Sequence, residues 1–331
     1  MKDFKAVVLA GGSGERFWPL STPERPKQFL RIFGGESLIR QCVSRLSGLA
    51  DGADVSVVTS KALVRATRDE LPEIPAENVI GEPERRDTGA AVAVGVGAAA
   101  REGDPVVGFF PSDQMVGDPK RFRAALKKAI ARARKTKSVV TIGIKPTFPA
   151  TGYGYVDPGT GRFVEKPDEA KARRYVKKGF LWNAGIFVAK ASVFRRAFAE
   201  FAPELAPLAA PDFDLATLPG AYAPLPKISF DFAVMEKLSG VQVVPGDFGW
   251  DDVGGYAAFD RYFPHDSRGN VREGPCTVVD SEGCICVARS ARISLLGVKN
   301  LVVVTTPDSV IVVDKSRVSD MKRLVAGRRR N

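Results

Sequence analysis

The chain has 331 residues, of which 44% are hydrophobic and 26% are charged, and its formal net charge at pH 7 is +11. This length and composition predict a folded protein with one large and one smaller domain, and they exclude an intrinsically disordered chain. The first apolar run is too short for a secretory signal and no stretch approaches a membrane span, so we expect a cytoplasmic protein without a membrane partner.

Short apolar runs alternate with helix-like segments through the first half of the sequence. The predicted strands of this half are residues 6–10, 55–59, 106–110 and 139–144. The predicted helices of the chain are residues 37–49, 61–71, 88–101, 119–134, 191–201, 229–238 and 318–325. Nearly continuous apolar runs are typical of parallel strands that are covered on both faces. The alternation therefore predicts an α/β fold with a doubly wound, mostly parallel, Rossmann-like sheet.

The second half of the sequence has a different texture. Glycines, aromatic residues and short extended pieces dominate residues 148–190, and a Pro- and Ala-rich loop runs through to Pro226. From about residue 270, short strands recur with Gly, Asn or Pro-Asp turns between them, which is typical of an all-β module. We predict a large domain of residues 1–263 and a small β-rich domain of residues 264–331, with a short β-helix as its candidate form.

The excess of positive charge has two interpretations. A positive field is typical of nucleic-acid-binding proteins, but it also suits an enzyme for polyanionic small substrates. Much of the excess lies in the helix-like segments 121–137 and 171–178 and in the run 328–330, and basic helical runs are usually solvated faces. Because no nucleic-acid motif with interleaved aromatic residues accompanies these runs, the sequence predicts no nucleic-acid partner.

Four cysteines and one histidine limit the chemistry that the chain can perform. Cys42, Cys276, Cys284 and Cys286 lack paired CxxC spacing, so we predict buried free thiols rather than a zinc site. His265 is the only histidine, and a Ser-His-Asp relay or a multi-histidine metal site could use no other. The chemistry is therefore expected to depend on carboxylates, lysine, arginine and a metal ion.

A glycine-rich loop follows the first predicted strand. It reads LAGGSGERFWPL over residues 9–20, and its glycines let backbone N–H groups turn toward an anion while Arg16 adds a fixed cation. The spacing is neither that of a P-loop nor that of a GxGxxG dinucleotide motif. Lys27, behind a proline, would add a second cation. The pattern favours a phosphate site, with a tight turn and a surface lysine as the alternatives.

Aspartates in two distant segments are candidates for a metal site. Asp113 follows a hydrophobic strand, where ligands of open α/β sheets bind. Asp251 and Asp252 lie in GWDDVGGY, between an aromatic residue and two glycines. Mg²⁺ prefers one or two protein carboxylates and completes its shell with water and phosphate oxygens. The alternative for each aspartate is a capping role at a turn.

Taken together, these motifs resemble the sugar-phosphate nucleotidyltransferases. The segments that carry the resemblance are LAGGSGERFWPLS, RPKQFL, GEPERRDTGAA, FPSDQ, TGYGYV, FVEKP, WNAGIFVA, SFDFAVMEK, GWDDVGGY and the C-terminal stretch from GVKNL to DMKRL. AGGxGxR with a downstream Pro-Lys is specific for the superfamily, and FWPLS, PKQFL and the pair SFDFAVMEK and GWDDVG are similar to its mannose-1-phosphate guanylyltransferase branch. The match covers nearly the whole chain. Relatives with two activities carry an additional isomerase domain, which is not expected here.

The resemblance implies transfer of GMP from GTP to mannose 1-phosphate with Mg²⁺ as cofactor, giving GDP-mannose and pyrophosphate. The implied catalytic residues are Arg16, Lys27, Asp113 and Lys166. The implied nucleotide-binding residues are Leu9, Ala10, Gly11, Gly12, Gly14, Glu82, Pro83, Thr88 and Ser112, with the Glu82 carboxylate on guanine N1–H and N2–H. The implied sugar-phosphate residues are Gly154, Glu165, Lys166 and Asn183. The implied metal ligands are Asp113 and Asp252.

The chain departs from the pattern of the family in two places. Asp87-Thr88-Gly89-Ala90 stands where the family has Asn-Thr-Ala-Pro, beside the expected site of the base, and Gln114 stands where a histidine is frequent. The alternatives are a same-fold enzyme for another NTP or sugar 1-phosphate, and a non-catalytic regulator that binds a nucleotide sugar. The resemblance also favours a homodimer.

Overall fold

The structure is a computed structural model that describes residues 3–12 and 14–328. The α-helices are α1 (Leu38–Ser44), α2 (Val64–Glu70), α3 (Asp87–Ala99), α4 (Pro119–Lys135), α5 (Glu169–Lys177), α6 (Ala191–Phe201), α7 (Leu218–Tyr222), α8 (Phe259–Tyr262) and α9 (Met321–Arg328). A π-helical turn spans Asp231–Met235. The 3₁₀ turns are Glu15–Phe17, Lys27–Phe29, Gly52–Asp54, Lys61–Leu63, Ala76–Asn78, Ala100–Glu102, Ala206–Ala209, Leu215–Thr217, Tyr256–Ala258 and Lys315–Asp320. Residues 329 and 330 of the basic tail lie outside the described residues.

The strands are β1 (Phe4–Ala10), β2 (Val55–Ser60), β3 (Val79–Glu82), β4 (Val106–Pro111), β5 (Met115–Val116), β6 (Val140–Ile144), β7 (Tyr155–Val156), β8 (Phe163–Val164), β9 (Leu181–Lys190), β10 (Gln242–Gly246), β11 (Trp250–Asp251), β12 (Val271–Glu273), β13 (Cys276–Val279), β14 (Ile285–Ala288), β15 (Ile293–Leu296), β16 (Leu301–Thr306) and β17 (Ser309–Asp314). By contacts the chain divides into two compact units. The first unit holds the residues up to Gly11 and Ile39–Asp251, and the second holds Gly12–Leu38 and the residues from Asp252 onward. The predicted domains, 1–263 and 264–331, stay a prediction.

The first unit is built on a central sheet with the strand order β10-β6-β9-β4-β1-β2-β3. β1 pairs in parallel with β2 and β4, β2 with β3, and β10 with β6, whereas β9 runs antiparallel to β4 and β6. The β7–β8 hairpin extends this sheet beside β9. The predicted mostly parallel α/β sheet is confirmed.

Helix α3 packs closely on the sheet because it is built from small residues. A Cβ added to Gly95 would lie 2.8 Å from side-chain atoms of both Val7 in β1 and Phe109 in β4. A Cβ on Gly97 would lie 2.4 Å from the Leu208 carbonyl oxygen. The two glycines therefore let the backbone of α3 approach the sheet on one side and the Leu208 backbone on the other more closely than a larger residue would permit.

The second unit contains a short stack of parallel strands. β12, β14 and β16 pair in parallel, β13 and β15 form a second parallel pair, and β17 closes one edge as an antiparallel strand. Cys284, Cys286, Ile293 and Val303 fill the interior. Successive turns of the chain thus stack as in a β-helix, and the predicted all-β module is confirmed.

The described residues include no helix that is both long enough and apolar enough to cross a membrane. Cys42, Cys284 and Cys286 are buried free thiols, as predicted, while the free thiol of Cys276 is only half-buried.

Replacing Gly97 by Ala should destabilise the protein, although alanine is the better helix former. The clash is with a backbone carbonyl, which cannot rotate away, so we expect a loss of about 1–3 kcal/mol in the free energy of unfolding. Gly220→Ala is the matched control, because its Cβ would meet nothing within 4 Å. The control should be neutral or stabilising by up to about 1 kcal/mol. Urea unfolding measures both, and equal effects would contradict the account of α3.

Candidate active site

The carboxyl ends of β1, β2 and β4 lie at one edge of the central sheet, because these strands run parallel. The Ser112 N–H donates to the Leu9 carbonyl at 3.1 Å, and the Thr59 hydroxyl donates to the Ala10 carbonyl at 3.0 Å. These bonds hold the end of β1 where the chain turns into Gly11. Ligands of open α/β sheets bind outside the carboxyl ends of the strands. This edge is therefore the candidate site of the first unit.

Glu82 ends β3, parallel to β2, and its side chain is buried. The Tyr222 hydroxyl donates to Glu82 Oε1 at 3.0 Å, and a Cβ on Gly11 would lie 3.4 Å from Oε2. Burial raises the pKa of Glu82 to about 7, while the Tyr222 hydrogen bond lowers it and the Asp87 carboxylate raises it. Pro83 follows and is half-buried. A buried carboxyl with a raised pKa is a typical feature of functional sites.

Helix α3 begins with a constrained backbone beside Glu82. Asp87 has φ 63°, a left-handed conformation that Asp and Asn tolerate, and its Oδ1 accepts from the Thr88 N–H at 2.8 Å. The Thr88 hydroxyl accepts from the Phe230 N–H at 2.9 Å. A Cβ on Gly89 would lie 2.7 Å from the Ile228 carbonyl oxygen. Glycine in place of the family's alanine therefore has a structural reason, which is this close approach of the backbone.

Asp113 follows β4 between two buried residues and is itself half-buried. Its neighbour Gln114 donates from its side-chain amide to the Ala184 carbonyl at 2.9 Å and accepts from Trp250 Nε1 at 2.9 Å. These bonds tie the end of β4 to β9 and β11. Gln114, the second departure from the family, thus has a structural role beside Asp113.

A second group of predicted residues is brought together around Asn183. The Asn183 side chain donates to Asp231 Oδ1 at 3.1 Å, and its backbone N–H donates to the Gly154 carbonyl at 2.8 Å. Lys166 Nζ lies 2.8 Å from Glu165 Oε1. A Cβ on Gly154 would lie 2.5 Å from Glu165 Oε2. Glycine therefore leaves the space that this carboxylate occupies.

The charged side chains of this second group shift the pKa values of one another. Burial raises the pKa of Glu165, although Lys166 lowers it. Burial likewise raises the pKa of Asp231, and the Glu165 carboxylate raises it further. Burial lowers the pKa of Lys166, but the carboxylates of Glu165, Asp231 and Asp87 outweigh this effect and raise it. Lys166 therefore stays charged beside several hydrogen-bond acceptors, an arrangement that suits a ligand with both a phosphate and hydroxyl groups.

Sequence reasoning misses two residues of these groups, Tyr222 and Asp231. Asp231 lies within SFDFAVMEK, one of the segments that carry the family resemblance, so a signal was present. Tyr222 lies in the Pro- and Ala-rich segment that the sequence predicts as a loop, where the structure has α7. No local pattern in that segment marks a tyrosine for a site.

In the second unit, the described residues of the glycine-rich loop include the exposed Gly12 and the half-buried Gly14. Gly14 has φ 63°, and a Cβ there would lie 2.5 Å from the Lys27 backbone nitrogen, so only glycine fits. Lys27 is buried, and its Nζ donates to the Asp252 carbonyl oxygen at 2.6 Å. The unit thereby brings the glycine loop, Lys27 and Asp252 together.

Arg16 is exposed in the 3₁₀ turn Glu15–Phe17. A Cβ on Gly254 would lie 3.5 Å from Asp252 Oδ2 and 3.7 Å from Arg16 Nη1, so both side chains lie beside this glycine. The Tyr256 hydroxyl donates to the last carbonyl of the turn at 2.9 Å and holds it in place. A guanidinium and a carboxylate beside the same glycine suit a phosphate that is bound together with a cation.

The divalent metal that the resemblance implies can be compared with the available donors. Within residues 3–12 and 14–328, no three His, Cys, Asp or Glu side chains form a group that could hold a metal. Mg²⁺ needs only one or two carboxylates when phosphate and water complete its shell. Asp113 in the first unit and Asp252 in the second are half-buried carboxylates of this kind. The chemistry of the donors therefore fits Mg²⁺.

Comparison with known proteins gives an independent result. The nucleotidyl transferase family model matches residues 5–268, and the model described as MannoseP isomerase/GMP-like beta-helix domain matches residues 274–327. The xanthan biosynthesis protein XanB of Xanthomonas campestris pv. campestris is 36% identical over 98% of this chain and 73% of its own length. The mannose-1-phosphate guanylyltransferase of Klebsiella pneumoniae is 35% identical over 96% of this chain and 72% of its own length.

A solved structure is similar over nearly the whole chain. The crystal structure of mannose-1-phosphate geranyltransferase from Thermus thermophilus matches with a TM-score of 0.90 and 36% identity. The match covers 98% of each chain. The resemblance predicted from the motifs is confirmed by these comparisons.

Replacing Glu82 by Gln should stabilise the protein at higher pH. The pKa of Glu82 is about 7 in the folded state and 4.5 ordinarily. The contribution of the protonated Glu82 carboxyl to the free energy of unfolding is therefore fully present below pH 4.5 and is lost as the pH rises through 7. Glutamine keeps an acceptor for Tyr222 and has no proton to lose. As the pH is raised from 4.5 to 8, the unfolding free energy of the variant should increase by about 2–3 kcal/mol relative to that of the wild type.

Urea unfolding across this pH range is the measurement. Glu84→Gln, at an exposed ion pair with Arg86, is the control and should change stability by less than about 1 kcal/mol. A difference between Glu82→Gln and wild type that stays constant with pH would contradict the raised pKa.

Proposed function

We propose that this chain, which belongs to the nucleotidyl transferase family, transfers GMP from GTP to mannose 1-phosphate and so makes GDP-mannose and pyrophosphate. The observation that carries the proposal is the relation to the Klebsiella pneumoniae mannose-1-phosphate guanylyltransferase over 96% of the chain. The contacts that link Lys166 to Glu165, and Glu165 and Asn183 to Gly154, also support a sugar-phosphate substrate.

The proposed reaction needs no covalent intermediate. A phosphate oxygen of mannose 1-phosphate is already anionic, so no general base is required. This oxygen attacks the α-phosphorus of GTP in line, and a new oxygen–phosphorus bond forms. The bond from the α-phosphorus to the oxygen that bridges the β-phosphate breaks, and pyrophosphate leaves with the electron pair. The protein contributes positioning and neutralisation of charge.

The cations of the site are assigned to phosphates and the acceptors to hydroxyl groups. Arg16 and Lys27, with N–H groups of the glycine-rich loop, neutralise the triphosphate. Lys166 binds the phosphate of the sugar phosphate, and the carboxylates around it that raise its pKa support a lysine that stays charged. Glu165 and Asn183 accept from and donate to the sugar hydroxyls.

The base is assigned to the end of β3 and the start of α3. Glu82 accepts hydrogen bonds from guanine N1–H and N2–H, and its burial at the sheet edge supports this role. Pro83 and Thr88 line the same strip. The backbone of Leu9 and Ala10, with Ser112, completes the nucleotide-binding set.

Asp113 and Asp252 would hold Mg²⁺, which suits their carboxylate oxygens. When bound, the ion supplies positive charge to phosphate oxygens as a Lewis acid. Location in the cytosol, a homodimeric assembly and the absence of nucleic-acid and membrane partners stay predictions.

A panel of substrates tests the proposed activity. We expect kcat/KM for pyrophosphate release to be at least about tenfold higher with GTP and mannose 1-phosphate than when ATP, UTP or dTTP replaces GTP or glucose 1-phosphate replaces mannose 1-phosphate. The physical reason is that a wrong base or a wrong sugar leaves buried polar groups of the site unpaired. A preference for UTP or dTTP with glucose 1-phosphate would instead support a same-fold enzyme for that pair. Tight binding of GDP-mannose without any turnover would support a regulator.

Removing either metal-ligand candidate should abolish turnover without unfolding the chain. We expect Asp113→Ala and Asp252→Ala each to lower kcat by at least about 100-fold, because charge on the phosphates is no longer neutralised. Asp251→Ala removes the neighbouring carboxylate and is the control, with most of its activity retained. Pyrophosphate release measures activity and circular dichroism checks the fold. Full activity of both Asp113→Ala and Asp252→Ala would contradict the assignment.

A further inference from the structure

The Glu82 carboxylate is buried in an unusual way for a charged group. Its side chain is about nine-tenths buried, yet within the described part of the chain neither of its oxygens pairs with a lysine or arginine. Oε1 accepts the Tyr222 hydroxyl at 3.0 Å, whereas Oε2 accepts no hydrogen bond from any described residue. A buried carboxylate short of donors is costly. Oε2 is thus the oxygen that is ready to accept from a ligand.

The position of Oε2 is set by what lies on its two sides. On one side lies Gly11, which has no side chain, and a Cβ at this position would lie 3.4 Å from Oε2. On the other side, the Tyr222 hydroxyl donates to Oε1 and so restrains the orientation of the carboxylate. The hydroxyl and the carboxylate come from residues 140 positions apart, in α7 and at the end of β3.

Tyr222 is itself held firmly. Its ring is fully buried, and Arg86 donates from Nε to the Tyr222 carbonyl at 3.0 Å and from Nη2 to the Ala223 carbonyl at 2.7 Å. The Arg86 guanidinium also pairs with Glu84 at 2.8 Å. The backbone of the tyrosine is therefore fixed by the residue just before α3, beside the strip where the base is proposed to lie.

We propose that Tyr222 is a positioning residue for nucleotide selection: its hydroxyl orients the Glu82 carboxylate so that Oε2 can accept from the N–H donors of a guanine base. This inference rests on the proposed guanylyl transfer and adds the group that gives it base selectivity. Guanine presents N1–H and N2–H to a carboxylate, whereas hypoxanthine presents N1–H alone. A carboxylate that is free to rotate would lose the alignment with both guanine donors and would discriminate less between the two bases.

The test compares GTP with ITP, each with mannose 1-phosphate, for wild type, Tyr222→Phe, Glu82→Gln and the double variant. We expect Tyr222→Phe to lower the ratio of kcat/KM for GTP over ITP by about 3- to 10-fold, through KM rather than kcat, because the misaligned carboxylate loses part of its hydrogen bond to guanine N2–H. In the Glu82→Gln background, Tyr222→Phe should leave this ratio unchanged. Tyr155→Phe also removes a buried hydroxyl, bonded to the Ala150 carbonyl at 2.8 Å, and should not change the ratio.

The pH profile separates positioning from a merely structural role. Among the groups that face Glu82, Tyr222 lowers its pKa and Asp87 raises it. Since the ionised carboxylate accepts from guanine, kcat/KM for GTP should fall as the pH drops below about 7 in wild type. Removing the hydroxyl raises this pKa, so the acid limb should move to higher pH in Tyr222→Phe, and Glu82→Gln should lose the limb.

The outcomes are distinguishable. An unchanged GTP-to-ITP ratio with an unmoved acid limb in Tyr222→Phe would overturn this inference alone. So would an equal effect of Tyr222→Phe in the Glu82→Gln background, or an acid limb that Glu82→Gln retains. A wild-type protein that does not prefer GTP over ATP, UTP or dTTP would overturn the proposed function and this inference with it. Near-UV circular dichroism checks that each variant is folded, and Glu82→Gln remains a test if Tyr222→Phe does not fold.

Discussion

The parallel pairing of β1 with β2 on one side and β4 on the other fixes the edge at which the first unit gathers its chemical groups. The hydrogen bond from Ser112 to the Leu9 carbonyl continues this pairing past the end of β4. The chain can then turn at Gly11 while Asp113 leaves the neighbouring strand. Pairing of β3 with β2 brings Glu82 to the same edge. If this register were lost, each of these side chains would leave the edge with its strand.

The buried carboxyl groups of the first unit carry an energetic cost. Burial raises the pKa of Glu82, Glu165 and Asp231, which means that the fold holds their ionised forms less well than water does. Functional sites are frequently less stable than the rest of a fold because binding groups must stay available to a ligand. The close packing of α3 on β1 and β4 is the kind of interaction that offsets such a cost.

The second unit holds its loop by different means. Phe33 packs on Phe259 with ring centroids 5.6 Å apart, and Phe17 packs on Tyr256 at 5.5 Å. The Phe17 ring joins the glycine-rich loop to the segment that follows Asp252, and the Phe33 ring joins a later part of this unit to the same segment. The loop is therefore anchored by aromatic packing and by the close approach of Gly14 to the Lys27 backbone, and the exposed Arg16 is presented from a fixed turn.

Much of the fold and part of the site can be predicted from sequence, and the reason is local. Apolar runs mark β1, β2 and β4, turn residues mark the C-terminal strands, and the residues after strand ends give Gly11 and Asp113. Glu82, Lys166 and Asn183 come from the family resemblance instead. The bond between Glu82 and Tyr222 has no local signal, because it joins residues 140 positions apart and depends on how α7 packs.

Isotope exchange tests the central claim, direct guanylyl transfer between two phosphates, most directly. Labelled pyrophosphate is incubated with the protein and Mg²⁺, with either GDP-mannose or unlabelled GTP as the partner, and labelled GTP is counted. Direct attack at the α-phosphorus predicts labelled GTP with GDP-mannose and none with GTP alone. Labelled GTP from GTP alone would reveal a covalent guanylyl-enzyme, and its absence in both mixtures would contradict guanylyl transfer itself.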